Sequence, residues 1–173
     1  MKTARGRGRA RVAAPVDEGL PHLVFEVNGG RCVLPLLAVR EIVGIHELRR
    51  PPSGPPALRG TLSLRGATVP VVDLAAALGG DAAAPRFESC ALVVDAPESL
   101  GSVIALAVDA VTGVAALTPA QIAPASRLGS LFARAAVDGM ARVDEDFLPV
   151  LGLARVLEGP AVRAAVDAGR SAA

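Results

Sequence analysis

Short apolar runs separated by turn residues dominate the chain and are typical of β-strands. The first two runs, residues 22–27 and 31–35, flank Asn28-Gly29-Gly30. An Asn-Gly pair between apolar runs predicts a β-hairpin, because both residues tolerate a positive φ. A short helical turn is predicted at residues 36–39 and a further strand at residues 40–43. The chain therefore opens as a hairpin followed by a third strand.

A second hairpin is predicted between residues 62 and 72, where two apolar runs flank a polar turn. The turn, residues 63–66, is predicted to be of type I, because serine suits its first position and glycine suits the left-handed residue that closes it. It presents Leu64 and Arg65 at the tip of the hairpin. The proline-rich residues 51–56 precede it and are predicted to form a stiff connector.

A short helix is predicted directly after this second hairpin. Asp73 can cap residues 74–78, because its carboxylate can accept a hydrogen bond from the first helical turn, and Gly79-Gly80 can end the helix. Residues 81–86 form a polar break, after which the strand pattern resumes. Three more strands are predicted, at residues 89–95, 102–108 and 111–117.

The two halves of the chain match at positions that shape the backbone. At a separation of 79 residues, the matching pairs are Gly60 and Gly139, Leu64 and Val143, Pro70 and Pro149, Val71 and Val150, Leu74 and Leu153, Leu78 and Leu157, and Gly80 and Gly159. Farther upstream, at a different separation, Val39 and Ile42 match Val108 and Val111. Each half is therefore predicted to form strands, a hairpin and a short closing helix.

The hairpin tips are the exception to this match. Arg65-Gly66 in the first half corresponds to Asp144-Glu145 in the second half, so the charge at the tip is inverted. A residue that serves only the fold should resemble its counterpart in the other half. Arg65 is therefore predicted to be available for a contact with another molecule.

These elements predict a mainly β fold of two small lobes. Neither half is long enough for a large sheet, and a small closed barrel would remove unpaired strand edges. The lobes are predicted at about residues 20–80 and 87–159. Residues 1–19 are predicted to be a disordered basic arm, because five cationic residues precede the first acidic one without any apolar period. Residues 160–173 are predicted to form a loose C-terminal tail, with a frayed helix as the alternative.

Composition and charge narrow the classes of function. With no Trp, no Tyr and four Phe, the chain lacks the aromatic platforms of a base-stacking surface. A net charge of +1 implies no bulk attraction to nucleic acid or to an anionic membrane. No apolar run reaches the ~18 residues that span a bilayer, and the arm lacks the apolar segment of a signal peptide. We therefore expect a cytoplasmic protein.

The sequence contains no pattern that indicates catalysis, a cofactor or a metal. His22 and His46 lack partners at metal-ligand spacing, and residues 144–146 lack the spaced ligands and the glycine of a calcium loop. Cys32 and Cys90 lie in apolar runs and are expected to be reduced core residues. We expect no enzyme, no cofactor and no small-molecule substrate.

Three stretches resemble segments that characterise CheW-like domains. Residues 58–74 resemble the hallmark stretch of that family, residues 39–43 its early segment, and residues 117–124 the connector of its second half. The resemblance covers roughly residues 22–158 and implies a domain over about residues 20–159. It implies the CheW-like fold, in which two five-stranded, SH3-like β-barrel lobes are joined by short helices.

The resemblance also implies a function without catalysis. Such a protein couples the cytoplasmic tips of chemoreceptors to the regulatory domain of a CheA-type histidine kinase, within arrays that it reaches through the receptors and not through its own membrane contact. Whether the output is flagellar motility, another motility system, development or gene control stays open. The alternative class is a nucleic-acid-binding β-barrel that uses the basic arm.

Candidate contact residues lie near the groove between the lobes. The resemblance places receptor contacts at Val39, Glu41, Ile42 and Arg65, and the hairpin geometry adds Leu64. The alternative role for Arg65 is a structural pair with Glu41, and the alternative for Val39 and Ile42 is core packing. The sequence assigns no residue to the kinase contact.

Overall fold

The structure of the protein is a computed structural model that describes residues 18–172, apart from residues 47, 83 and 126–135. The strands are β1 (Leu20–Val27), β2 (Gly30–Pro35), β3 (Val39–Gly44), β4 (Leu58–Leu64), β5 (Ala67–Asp73), β6 (Cys90–Asp95), β7 (Val103–Val108), β8 (Ala110–Leu117), β9 (Ile122–Ala123), β10 (Val137–Val143) and β11 (Asp146–Leu151). The helices are α1 (Leu74–Ala77), α2 (Leu153–Glu158) and α3 (Pro160–Ser171). The predicted mainly β fold is confirmed, while the predicted arm lies outside the described residues up to residue 17.

Both predicted hairpins form, but the second has a different turn from the one predicted. Asn28 and Gly29 join β1 to β2 at φ values of 50° and 78°, as the Asn-Gly signal indicates. The type I turn predicted for residues 63–66 is wrong, because Leu64 still pairs with Ala67 across β4 and β5. Only Arg65 and Gly66 remain in the turn, at φ values of 51° and 82°. Two positive φ values match the twist of the flanking strands better than a type I turn does.

The strands form two sheets, and each half of the chain contributes to both. One sheet has the order β8-β1-β2-β11-β10-β9, and the other has the order β3-β6-β7-β5-β4. The first hairpin of each half therefore lies in the sheet formed by the later strands of the other half. Parallel pairing of β2 with β11 and of β5 with β7 makes this exchange. The lobes predicted at about residues 20–80 and 87–159 are thus interlocked and do not follow one another along the chain.

The internal repeat is confirmed in three dimensions. Gly60 pairs with Val71 and Gly139 pairs with Val150, and the strand register shifts at both glycines. A Cβ atom at Gly60 would lie 2.6 Å from the Arg49 carbonyl oxygen, and one at Gly139 would lie 2.7 Å from the Ala123 carbonyl oxygen. The repeat keeps glycine at both positions because a neighbouring backbone crosses there in each half.

Three apolar clusters fill the molecule, so both sheets are buried on both faces. A cluster on one face of the six-stranded sheet includes Val33 and Val150, and a cluster on one face of the five-stranded sheet includes Val71 and Val93. The third and largest cluster lies between the sheets and also receives side chains from all three helices. Strands with two buried faces have continuous apolar sequences, as β6 and β7 do.

The C-terminal segment is an ordered helix, so the loose tail predicted for residues 160–173 is wrong. Val162, Ala165 and Val166 of α3 are fully buried in the central cluster. A Cβ atom at Gly169 would lie 3.0 Å from Pro70 Cβ, so α3 packs closely on β5. The buried positions follow the helical spacing of three, four and seven residues.

One buried ion pair connects β4, β5 and α1. Arg59 Nε lies 2.7 Å from Asp73 Oδ2, and the two side chains are only 15% and 3% exposed. The other carboxylate oxygen of Asp73 accepts a hydrogen bond of 2.9 Å from the backbone N–H of Ala76, which confirms the predicted helix cap. A single carboxylate thus fixes the end of a strand, the start of a helix and a buried arginine.

We expect Asp73→Ala to lower the free energy of unfolding by about 3–5 kcal/mol, because it removes the carboxylate that faces a buried guanidinium and also removes a helix cap. Urea denaturation followed by circular dichroism measures the change. Asp95→Ala is the matched control, because Asp95 forms an exposed pair with Arg40, and its effect should stay below about 1 kcal/mol. Equal losses in the two variants would contradict a special role for the buried pair.

We expect neither half of the chain to fold alone, because each half lacks the sheet that receives its first hairpin. Separately produced fragments of residues 18–82 and 84–172 should give NMR spectra of unfolded chains, and their mixture should recover dispersed spectra. Dispersed spectra from the fragment of residues 18–82 by itself would show that the exchange of hairpins is dispensable.

Candidate functional site

A groove beside the tip of the β4–β5 hairpin brings together three of the five predicted contact residues, namely Glu41, Leu64 and Arg65. This tip groove has a volume of about 340 Å³. Its lining residues are Arg40, Glu41, Leu64, Arg65, Ala67, Val69, Val93 and Val103. Valines form the apolar part of the groove, while the charged residues come from β3 and from the hairpin tip.

Arg65 pairs with Glu41, as the structural alternative predicts. The Arg65 Nη2 atom lies 3.4 Å from Glu41 Oε1, and the two side chains are 82% and 30% exposed. An ion pair this exposed contributes at most about 1 kcal/mol to folding, so it does not hold the hairpin together. Because a guanidinium has five N–H donors, Arg65 can contact Glu41 and a second molecule at the same time.

The backbone of Arg65 also favours a role outside the fold. Its φ of 51° is left-handed, which costs an L-amino acid other than glycine or asparagine about 1–2 kcal/mol. The corresponding position in the first hairpin is Asn28, a residue that accepts this conformation readily. The turn itself therefore gains nothing from an arginine, whereas an exposed cation at the rim of a groove can bind a partner.

Val39 and Ile42 lie on the opposite face of the five-stranded sheet from the tip groove. They pair with Val94 and Leu92, which belong to the central cluster, whereas Glu41 pairs with Val93 on the other face. Val39 packs against the central cluster, as its core-packing alternative predicts. Ile42 remains 45% exposed at the rim of that cluster. The five predicted residues thus form one groove on one face and a partly apolar rim on the other.

The sequence analysis missed Val114, the counterpart of Ile42 in the second half. The register of β3 and β8 aligns Val39 with Val111 and Ile42 with Val114, so the earlier match to Val108 and Val111 is wrong. The correct separation, 72 residues, differs from that of the later repeat. Val114 is 59% exposed, and it would have been found by extending the repeat search with a free separation.

Cys90 connects the two edge strands that carry this rim. It pairs with Gly44 of β3, and its thiol forms a hydrogen bond to the backbone of Val111 in β8. Both Val39 and Val111 pack against the central cluster. The exposed side chains of Ile42 and Val114 therefore belong to strands that border the same core from the two sheets.

The side chains that could support chemistry are held in structural roles. Burial raises the pKa of the Cys32 thiol and of the Cys90 thiol, so both are poor nucleophiles near neutral pH. His22 is buried, with Nδ1 2.8 Å from the Leu20 carbonyl oxygen, and the His46 ring lies 6.3 Å from that of Phe87. Within the described ranges, no group of three or more His, Cys, Asp or Glu residues could hold a metal ion.

No helix in the part of the chain that the structure describes is long and apolar enough to span a membrane.

Comparison with known proteins gives consistent matches. The family model described as the CheW-like domain matches residues 21–163. The chain is 30% identical over 122 residues to the chemotaxis protein CheW of Rhizobium meliloti, which covers 70% of this chain and 77% of that protein. It is 28% identical over 131 residues to a probable chemotaxis protein CheW of Rhizobium etli, which covers 76% and 83% of the two chains.

A solved structure has the same fold. The crystal structure of the scaffolding protein TtCheW from Thermoanaerobacter tengcongensis superposes with a TM-score of 0.72 and is 24% identical. The match covers 89% of this chain and 96% of that one.

Proposed function

The chain belongs to the CheW-like domain family, and from this premise we propose that it is a non-catalytic scaffold that couples chemoreceptors to a CheA-type histidine kinase. The family match over residues 21–163 carries this proposal, and relatives named as chemotaxis proteins support it. The chemistry of the molecule agrees with binding, because the candidate site consists of an ion pair, valines and exposed strand edges.

The receptor contact includes the tip groove and the apolar rim. A chemoreceptor tip is a helical bundle, and a helix is bound through an apolar stripe flanked by polar contacts. Ile42 and Val114 supply exposed apolar surface, and Val39 supports Ile42 from the core. Glu41, Leu64 and Arg65 then set the register through charge and through the shape of the hairpin tip.

The kinase binds a separate surface, because a coupling protein holds both partners at once. The two interlocked sheets keep such surfaces at fixed distances from each other. The protein acts in the cytoplasm at membrane-associated receptor arrays, and it reaches the membrane only through the receptors. It needs neither a cofactor nor a small-molecule substrate for this role.

Nucleic-acid binding, the alternative function, has no support from the comparisons, which match chemotaxis proteins. The basic arm on which it rests lies outside the described residues. A pull-down from native lysate separates the two classes. Recovery of a histidine kinase together with a chemoreceptor supports the scaffold, whereas recovery of salt-sensitive nucleic acid supports the alternative.

We expect Arg65→Glu to weaken receptor binding by about 30-fold or more, the loss expected for a binding hot spot of about 2 kcal/mol. Calorimetric titration with the cytoplasmic receptor fragment measures the affinity. Arg155→Glu is the matched control, because Arg155 forms an exposed pair with Asp138 on α2 and β10. The melting temperatures of the two variants should agree within a few degrees. Unchanged affinity in Arg65→Glu would remove this residue from the receptor site.

A charge-swapped pair separates a direct contact of Arg65 from a purely structural one. Glu41→Arg combined with Arg65→Glu restores an ion pair across the groove with the charges reversed. If Arg65 contacts the receptor, we expect the double variant to remain at least about tenfold weaker than the natural protein. Recovery of full affinity would show that Arg65 acts only as the partner of Glu41.

A further inference from the structure

A second groove lies on the six-stranded sheet, at the position equivalent to the tip groove. This β8 groove has a volume of about 400 Å³. Its lining residues are Val24, Arg31, Thr112, Gly113, Val114, Ala115, Ala116, Leu117, Gln121, Arg142, Val143 and Asp144. The equivalence follows from the pairing, since Val24 pairs with Gly113 as Val93 pairs with Glu41. The receptor contacts proposed at Glu41, Leu64 and Arg65 have no counterparts of like charge here.

The long wall of this groove is a strand edge. Six consecutive residues of β8, residues 112–117, line the groove, and in the described part of the chain β8 pairs only with β1. In an antiparallel strand, every second residue directs its backbone N–H and C=O away from the partner strand. β8 therefore presents backbone donors and acceptors on its free side, where a further strand could use them.

β8 lacks the features that normally protect a sheet edge. Its eight residues contain no charged side chain and no proline. The equivalent edge strand β3 carries Arg40 and Glu41, and charges of this kind discourage pairing with another chain. The two edges are related by the repeat, so the difference between them is a property of the sequence and not of the fold.

Gly113 provides space for another backbone above this edge. It replaces Glu41 of the equivalent strand, and a Cβ atom at Gly113 would meet no atom within 4 Å. No packing or turn therefore demands glycine at this position. A glycine within a strand often marks a site where another backbone approaches closely.

The charge of the groove indicates what kind of segment it accepts. Arg142 is exposed, and among the described residues no carboxylate forms an ion pair with it. Arg31 is paired with Asp146 at 3.1 Å, and Asp144 lies at the hairpin tip. An acidic residue is thus favoured beside Arg142 and disfavoured beside Asp144. Val24 and Val143 supply the apolar part of the groove.

We propose that the β8 groove binds an extended segment of a partner protein, which adds to the sheet as a strand and places an acidic residue beside Arg142. Backbone hydrogen bonds to β8 supply affinity, and the apolar floor and Arg142 supply selectivity. This site is independent of the proposed receptor contact, because it lies on the other sheet and uses other residues.

The test uses the full isotope-labelled chain and a capped peptide of alternating valine and threonine that ends in two glutamates. Titration followed by amide NMR should shift the signals of residues 112–117 saturably and slow the hydrogen exchange of the amides that face away from β1. A peptide with a central proline should bind at least about tenfold more weakly, because proline removes a strand donor. Equal binding of the proline peptide, shifts confined to Glu41 and Arg65, or no shifts would overturn the proposal.

Two variants test the groove itself. Gly113→Glu restores the side chain of the equivalent strand and should abolish peptide binding without lowering the melting temperature, since the added side chain enters open space. Arg142→Glu should weaken binding of the glutamate peptide by about tenfold or more and favour a peptide that ends in lysines. Binding of the glutamate peptide that survives both substitutions would place the peptide elsewhere. Receptor affinity should stay unchanged in Arg142→Glu, which keeps this outcome separate from the coupling function.

Discussion

Burial of both faces of both sheets is the constraint on which the rest of this structure depends. One apolar cluster occupies the outer part of each sheet, and a third lies between the sheets beneath the helices. A sheet that is buried on both faces has no flat surface left for binding. Recognition is therefore displaced to hairpin tips and strand edges, and the tip groove, the rim and the β8 groove all lie at such places.

The exchange of hairpins gives this arrangement its rigidity. Because β2 pairs with β11 and β5 pairs with β7, each sheet contains strands from both halves of the chain. The buried pair of Arg59 with Asp73 then fixes the hairpin that carries Arg65 to α1. A scaffold that transmits signals between partners benefits from surfaces held at constant geometry, because binding energy is then not spent on ordering the molecule.

Local signals predicted most of the elements, and non-local packing explains what they did not predict. Asn28-Gly29 specifies its hairpin and Asp73 specifies its helix cap, since both act within a few residues. The exchange of strands depends on parallel pairs such as Val33 with Val150, whose partners are more than a hundred residues apart, and apolar periodicity does not encode partners. α3 was mistaken for a tail because alanine and glycine conceal its apolar stripe.

The candidate site was predicted in part for the same reason. The inverted charge at the hairpin tip pointed to Arg65, and the structure places Arg65 beside Glu41 in one groove. The sequence could not show that Ile42 lies on the other face from Glu41, because the register shift between Val39 and Glu41 breaks simple alternation. It also could not show Val114, whose relation to Ile42 depends on the same shift in β8.

The pairing of β2 with β11 also determines when the protein can fold during synthesis. Residues 30–35 leave the ribosome early, but their parallel partner spans residues 146–151, close to the end of the chain. The β1–β2 hairpin must therefore wait, with one edge unpaired, until almost the whole chain has emerged. Contacts of such long sequence separation slow folding and leave strand edges exposed to other chains in the meantime. The interlocked architecture thus makes the nascent protein dependent on protection in the cell that the finished molecule no longer needs.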